Sequence, residues 1–126
     1  VVVQLIGHLR TQFGEAGVES LIQAREAQMA AQYGDEISQA ATLQGKLAAL
    51  AAIRSREGYM AEVVADEGGW QLIEHHCPIC AAASQCLSFC RSELQLFRAL
   101  LPEAQVERAE HLLADGARCV YSIRPL

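Results

Sequence analysis

Val2, Leu5, Leu9 and Phe13 recur at helical spacing with Gln4, His8 and Gln12 between them, and Gly14 closes the run as a helix C-cap does. The pattern predicts a first amphipathic helix. Val18, Ile22, Met29 and Tyr33 continue the period through alanine- and glutamine-rich sequence to Gly34-Asp35, where the glycine predicts the end of a second helix. Ile37, Leu43, Leu47, Leu50 and Ile53 then carry a third helix up to Glu57-Gly58. A helical half with such modest apolar stripes buries little by itself, so pairing with a second copy of the chain is expected.

After Gly58 the period shortens to two. Tyr59 to Ala65, the acidic turn Asp66-Glu67-Gly68-Gly69, and Trp70 to His75 predict a β-hairpin, and Pro78 forbids pairing beyond it. Cys86, Phe89, Cys90, Leu94, Phe97 and Leu101 return to helical spacing until Pro102, which places Cys86 and Cys90 on one face. Gln105 to Leu113, a turn at Asp115-Gly116, and Arg118 to Ile123 predict a second hairpin. The expected fold is therefore α+β: N-terminal helices, then hairpin, helix and hairpin, with a small antiparallel sheet packed on the helices. Gly58 divides a helical dimerisation segment, 1–58, from a cysteine-bearing segment, 59–126, within one compact domain.

The chain has 126 residues, 52% of them apolar, enough for one domain with a real core. Its net charge of −5, with Lys and Arg scattered singly, argues against a direct grip on a phosphate backbone. The opening apolar run is short and broken by Gly7-His8 and Arg10, so neither a signal peptide nor a membrane span is expected. Five cysteines, an odd number, then point to a reducing cytoplasm in which thiols are kept for metal. Because the sequence opens Val1-Val2-Val3-Gln4, it is read as part of a longer protein. It carries no Ser-His-Asp arrangement, glycine-rich phosphate loop or catalytically spaced carboxylate pair, and an enzyme is not expected.

The chemistry concentrates between Glu74 and Cys90, where four of the five cysteines and two of the four histidines fall. A closed zinc site of Cys77, Cys80, Cys86 and Cys90 has enough thiolates, but its two pairs stand five residues apart, against the usual roughly 15–20 of a zinc ribbon. Cys77-Pro78-Ile79-Cys80 has the spacing of a redox motif without the βαβ unit that chemistry uses. The third arrangement takes Cys77, Cys90 and Cys119 from a strand end, a helix and the last hairpin, a dispersal suited to a group held between elements. Cysteines also pack as small apolar residues. Trp70, Phe89, Phe97 and Tyr121 either fill the core or line a pocket. Glu93 and Glu107 either sit on solvated faces, or bond Arg118 or the outer partners of a metal.

The runs His76-Cys77-Pro78-Ile79, Cys90-Arg91-Ser92-Glu93-Leu94-Gln95-Leu96-Phe97, Val106 to Leu113 and Gly116-Ala117-Arg118-Cys119-Val120-Tyr121-Ser122-Ile123 together resemble the effector half of SufR-type regulators. Gly58-Tyr59-Met60-Ala61-Glu62-Val63 is similar as well, so the likeness covers nearly the whole chain. Those proteins are iron-sulfur-responsive transcriptional repressors with an N-terminal winged helix-turn-helix. The resemblance implies that Cys77, Cys90 and Cys119 ligate a [4Fe-4S] cluster. It also implies a cytoplasmic homodimer that meets DNA only through an N-terminal domain absent from this chain. Some members carry a further cysteine where this sequence has Ala104, which leaves Cys80, His76, His75 and His111 as candidates for a fourth ligand. A weaker likeness, to vinyl-reductase-type small-molecule sensor domains, implies instead a ligand pocket between helices and sheet. Zinc remains the alternative metal.

Overall fold

The computed structural model describes residues 2–76, 88–110 and 118–126. Helix α1, Val2–Ile37, is two helical runs joined at Gly14, whose φ of 73° lies where an L side chain is strained. The predicted break is therefore a kink inside one element. Gly34, expected to end the second run, lies within it, and the helix continues to Ile37. Helix α2, Leu43–Arg56, starts six residues later than expected, because the Thr42 hydroxyl caps it by accepting from the Gly45 amide at 3.0 Å. Ile37, assigned from sequence to this helix, is instead a buried residue at the end of α1.

Strands β1, Ala61–Asp66, and β2, Gly69–Glu74, form the first predicted hairpin. Helix α3 spans Ser88–Leu100, and strands β3, Ala104–Glu110, and β4, Cys119–Pro125, form the second antiparallel pair. The four strands make one antiparallel sheet in the order β1-β2-β4-β3, and the fold is α+β. Gly69 marks a close approach of the first turn to β4: a Cβ there would lie 2.2 Å from the Ile123 carbonyl oxygen.

Side chains alternate across a pleated sheet, so the register fixes which residues share a face. Leu72 stands opposite Tyr121, Trp70 opposite Ile123 and Glu74 opposite Cys119, while Arg108 and Val106 of β3 stand opposite Tyr121 and Ile123. This face meets the helices: Leu72, Val106, Cys119, Tyr121 and Ile123 share one apolar core with Met29, Tyr33, Leu47, Leu50, Leu96 and Phe97. Phe97 meets Tyr121 edge to face at 4.8 Å. The core thus spans the Gly58 border.

Within this packing the last residues of β2, the first of β4 and the bulged part of β3 form a polar end of the sheet. The register slips between Arg108 and Glu110, where one extra residue opens the ladder, a local distortion that strands use to re-aim side chains.

Candidate functional site

Two of the predicted thiols lie near that polar end, each acting on the charge of Arg108. Cys119 opens β4 and is buried; Cys90 lies in the first turn of α3 and is half-buried. Between them runs Arg108 of β3, which donates through Nη2 to the Cys90 carbonyl at 2.8 Å and to the Tyr121 hydroxyl at 3.1 Å. Its Nε–H is buried without a hydrogen-bond partner among the described residues. Burial works to lower the Arg108 guanidinium, but the Tyr121 hydroxyl and the Cys90 and Cys119 thiols outweigh it and hold it above its usual value. Burial, with Glu74 next, raises the Tyr121 phenol, so it stays a neutral hydroxyl in the physiological range.

Glu74, beside Cys119 on the same sheet face, ends on a second arginine. Arg54 of α2 is fully buried. Its Nε and Nη2 donate to the two Glu74 carboxylate oxygens at 2.6 and 3.0 Å, a bidentate fork, and its Nη1 donates to Glu93 of α3 at 2.8 Å. The guanidinium lies 3.4 Å from the centroid of the Tyr59 ring and 5.0 Å from that of Phe97. Glu93 accepts in addition from the Tyr59 hydroxyl at 3.3 Å and from both terminal nitrogens of Arg25, on α1, at 3.4 Å. Tyr33 of α1 lies 3.5 Å from Arg54 Nη1 and donates its own proton to Glu57. Burial pushes the Glu74 carboxyl upward against the pull of Arg54. Burial also works against the charge on Arg54, and Glu93 and Glu74 more than restore it.

The sequence singled out Glu93 but gave it other partners, and it passed over Arg54 and Glu74. Glu107 sits on the exposed face of β3 and pairs with Arg98 at 3.1 Å. Arg54 lay within a polar run, Arg54-Ser55-Arg56-Glu57, that reads as a solvated helix end. One signal was present: Leu43, Leu47, Leu50 and Arg54 follow each other at steps of four, three and four, which places the arginine on the apolar stripe.

Cys77, Cys80, Cys86 and His111 lie outside the described residues. His76 follows β2 and donates its backbone amide to the Tyr59 carbonyl, while the exposed His75 ring pairs with Glu62 at 3.1 Å. Among the described residues no three Cys, His, Asp or Glu side chains gather as a metal site. Phe97 and Tyr121 fill the core, Trp70 packs against it, and the Phe89 side chain lies outside the described set. A polar cleft of about 290 Å³ between α1 and α3, with Glu19, Glu26, Arg91 and Ser92 on its walls, touches none of Trp70, Phe97 and Tyr121. Nor does a second of about 340 Å³ beside Ile37, Lys46 and Leu100. Among the described residues no helix is long and apolar enough to cross a membrane.

Comparison with family models, with curated proteins and with solved structures found no match for this chain.

Proposed function

We propose that this chain is the sensor and dimerisation domain of a transcriptional regulator, holding an iron-sulfur cluster through Cys77, Cys90 and Cys119 and controlling a DNA-binding domain that lies outside it. The observation that supports this most is Arg108. Two thiols from different elements act on the charge of one guanidinium, which bonds the Cys90 carbonyl and whose buried Nε–H has no acceptor among the described residues. An unsatisfied buried donor costs about 1–3 kcal/mol, and an anionic group among the thiols relieves that cost. Thiolates bound to iron and sulfide are such a group, which supports the reading at Cys90 and Cys119, while Cys77 lies outside the described residues.

When bound, a cluster supplies one-electron chemistry and sensitivity to oxidants. The chain's own part is to present the thiols. The pleat of β3 places Arg108 on the inner face with Val106, the Tyr121 hydroxyl fixes the guanidinium, and Glu74 and Glu93 hold β2, the ladder neighbour of the Cys119 strand, and the helix that bears Cys90. Cys77 follows Glu74 by three residues in the sequence. His76 and Cys80 adjoin it as candidates for a fourth position. On the helical side Leu5 and Phe13 are 57% and 65% exposed, large apolar side chains suited to a second copy of the chain.

Anaerobic reconstitution with iron and sulfide tests the reading. Visible absorbance and about four irons per chain are expected, and each of Cys77→Ser, Cys90→Ser and Cys119→Ser abolishes them. Unchanged absorbance and iron content in all three variants refutes the assignment. One tightly held zinc with no visible chromophore supports a structural zinc site in its place.

A further inference from the structure

Both described cysteines have a carboxylate neighbour, and both carboxylates end on Arg54. Glu74 faces Cys119 across the β2–β4 ladder, and Glu93 follows Cys90 by three residues, one helical turn along α3. The guanidinium between them is a rigid planar spacer: one edge takes both oxygens of Glu74, while Nη1 takes Glu93. Tyr59 and Phe97 lie against the guanidinium and fix its plane. Its stem belongs to α2, and Tyr33 and Arg25 tie the same cluster to α1.

From this geometry we infer that Arg54 is a positioning residue that locks the Cys90 helix, through Glu93, to β2, the strand paired with that of Cys119, through Glu74, and passes any change in their separation to α1 and α2. The inference rests on the thiol site proposed above, though not on which metal fills it. If α3 shifts against β2, a planar fork cannot keep short bonds to both carboxylates, so either a buried ion pair breaks or α2 moves with the shift. Breaking the pair strands a buried charge, which makes movement of α2 the cheaper course. The helical half, which carries the exposed Leu5 and Phe13, thereby receives the state of the thiols.

The test compares the whole chain empty and loaded, once with iron and sulfide and separately with Cd²⁺ alone, whose thiolate charge-transfer absorbance reports occupancy. Hydrogen exchange of the α2 amides between Leu50 and Arg56 is the readout. At equal occupancy, loading is expected to slow exchange by about tenfold in the native chain, a coupling of ordinary size for linked sites. The effect shrinks to less than about twofold in Glu93→Gln, which keeps the shape, and in Arg54→Lys, which keeps the charge but not the fork. A purely structural arginine predicts otherwise: both variants exchange faster, empty and loaded alike, and the ratio between the states is unchanged. That result overturns the proposal, as does loading of the native chain with α2 unaffected. Cd²⁺ uptake with an α2 response but no iron uptake refutes the iron-sulfur reading and leaves the coupling standing. Uptake of neither refutes both.

Discussion

Replacing Arg54 with methionine removes a fully buried cation and leaves two carboxylates, with side chains only 4% and 6% exposed, facing an apolar gap. Breaking a buried ion pair by removing one partner costs about 3–5 kcal/mol. Glu74 loses both of its bonds to Arg54 while Glu93 keeps Arg25 and the Tyr59 hydroxyl, so the middle of that range applies, set against a total of about 5–15 kcal/mol for a native domain. For a chain of this length the loss lowers Tm by about 10–20 °C. Its pH dependence carries a sign. Burial already raises the Glu74 carboxyl, and Arg54 is the main force opposing it, so without the arginine the carboxyl rises further. The folded variant then holds a proton that the unfolded chain has released, and stability is lost as pH rises through the raised value. The deficit of Arg54→Met relative to the native chain is therefore largest at neutral pH and shrinks as pH falls toward the usual carboxylate range. Urea unfolding followed by circular dichroism at pH 8 and pH 5 measures both. A deficit below about 1 kcal/mol at pH 8, or one that grows at pH 5, refutes the reasoning, because it means that the carboxylates were never dependent on Arg54.

Gly69→Ala drives a Cβ to 2.2 Å from the Ile123 carbonyl, where backbone must shift; a loss of about 1–3 kcal/mol is expected by thermal melting, and an unchanged Tm contradicts the close approach. Leu5→Ser combined with Phe13→Ser, both exposed in the chain described here, is expected to weaken self-association in sedimentation velocity while leaving the melting of dilute protein nearly unchanged. A native chain that stays monomeric at all concentrations refutes the dimer.

The α+β order was legible because each element advertises its own period. The hairpin β1–β2 needed only alternating residues and an acidic, glycine-bearing turn, and its register closes on Asp66 opposite Gly69 as that turn requires. Helix ends were less legible, since they depend on competition between local signals. Gly34 looked like a stop, yet burial of Met29, Tyr33 and Ile37 carries α1 past it, and Thr42 then supplies the cap that begins α2. Around α3 the stripe is read along Cys86, Phe89, Cys90, Leu94, Phe97 and Leu101; Phe97 and Leu101 are buried, and the buried face takes in Ser92, Glu93 and Leu96 as well. A glutamate on that face looks solvated until its partner is known, and Arg54 is 39 residues away in the sequence. Periodicity reports which residues share a face. It does not report that two opposite charges on separate elements will neutralise each other inside.

Stability alone does not account for the Arg54 cluster, because a buried ion pair costs desolvation that its attraction only partly returns, and apolar replacements of similar volume are often neutral or stabilising by about 1–4 kcal/mol. What an apolar cluster lacks is direction. Leucine and methionine slide past one another at little cost, while the fork on Glu74 and the third bond to Glu93 define one relative placement of β2, α2 and α3. The triple variant Arg54→Met, Glu74→Leu, Glu93→Leu separates the two roles. It strands no fully buried charge, since Arg25, which loses Glu93, is part exposed, so it should unfold at a urea concentration close to that of the native chain and well above that of Arg54→Met alone. If the cluster positions the thiols, the same variant loses the response of α2 to loading while it keeps its stability. If the cluster serves only to hold the fold, stability falls in the triple variant and whatever α2 response survives stays at its native size. Measured together on one protein, the midpoint of unfolding and the exchange ratio decide between a charge cluster that holds the domain together and one that carries a signal through it.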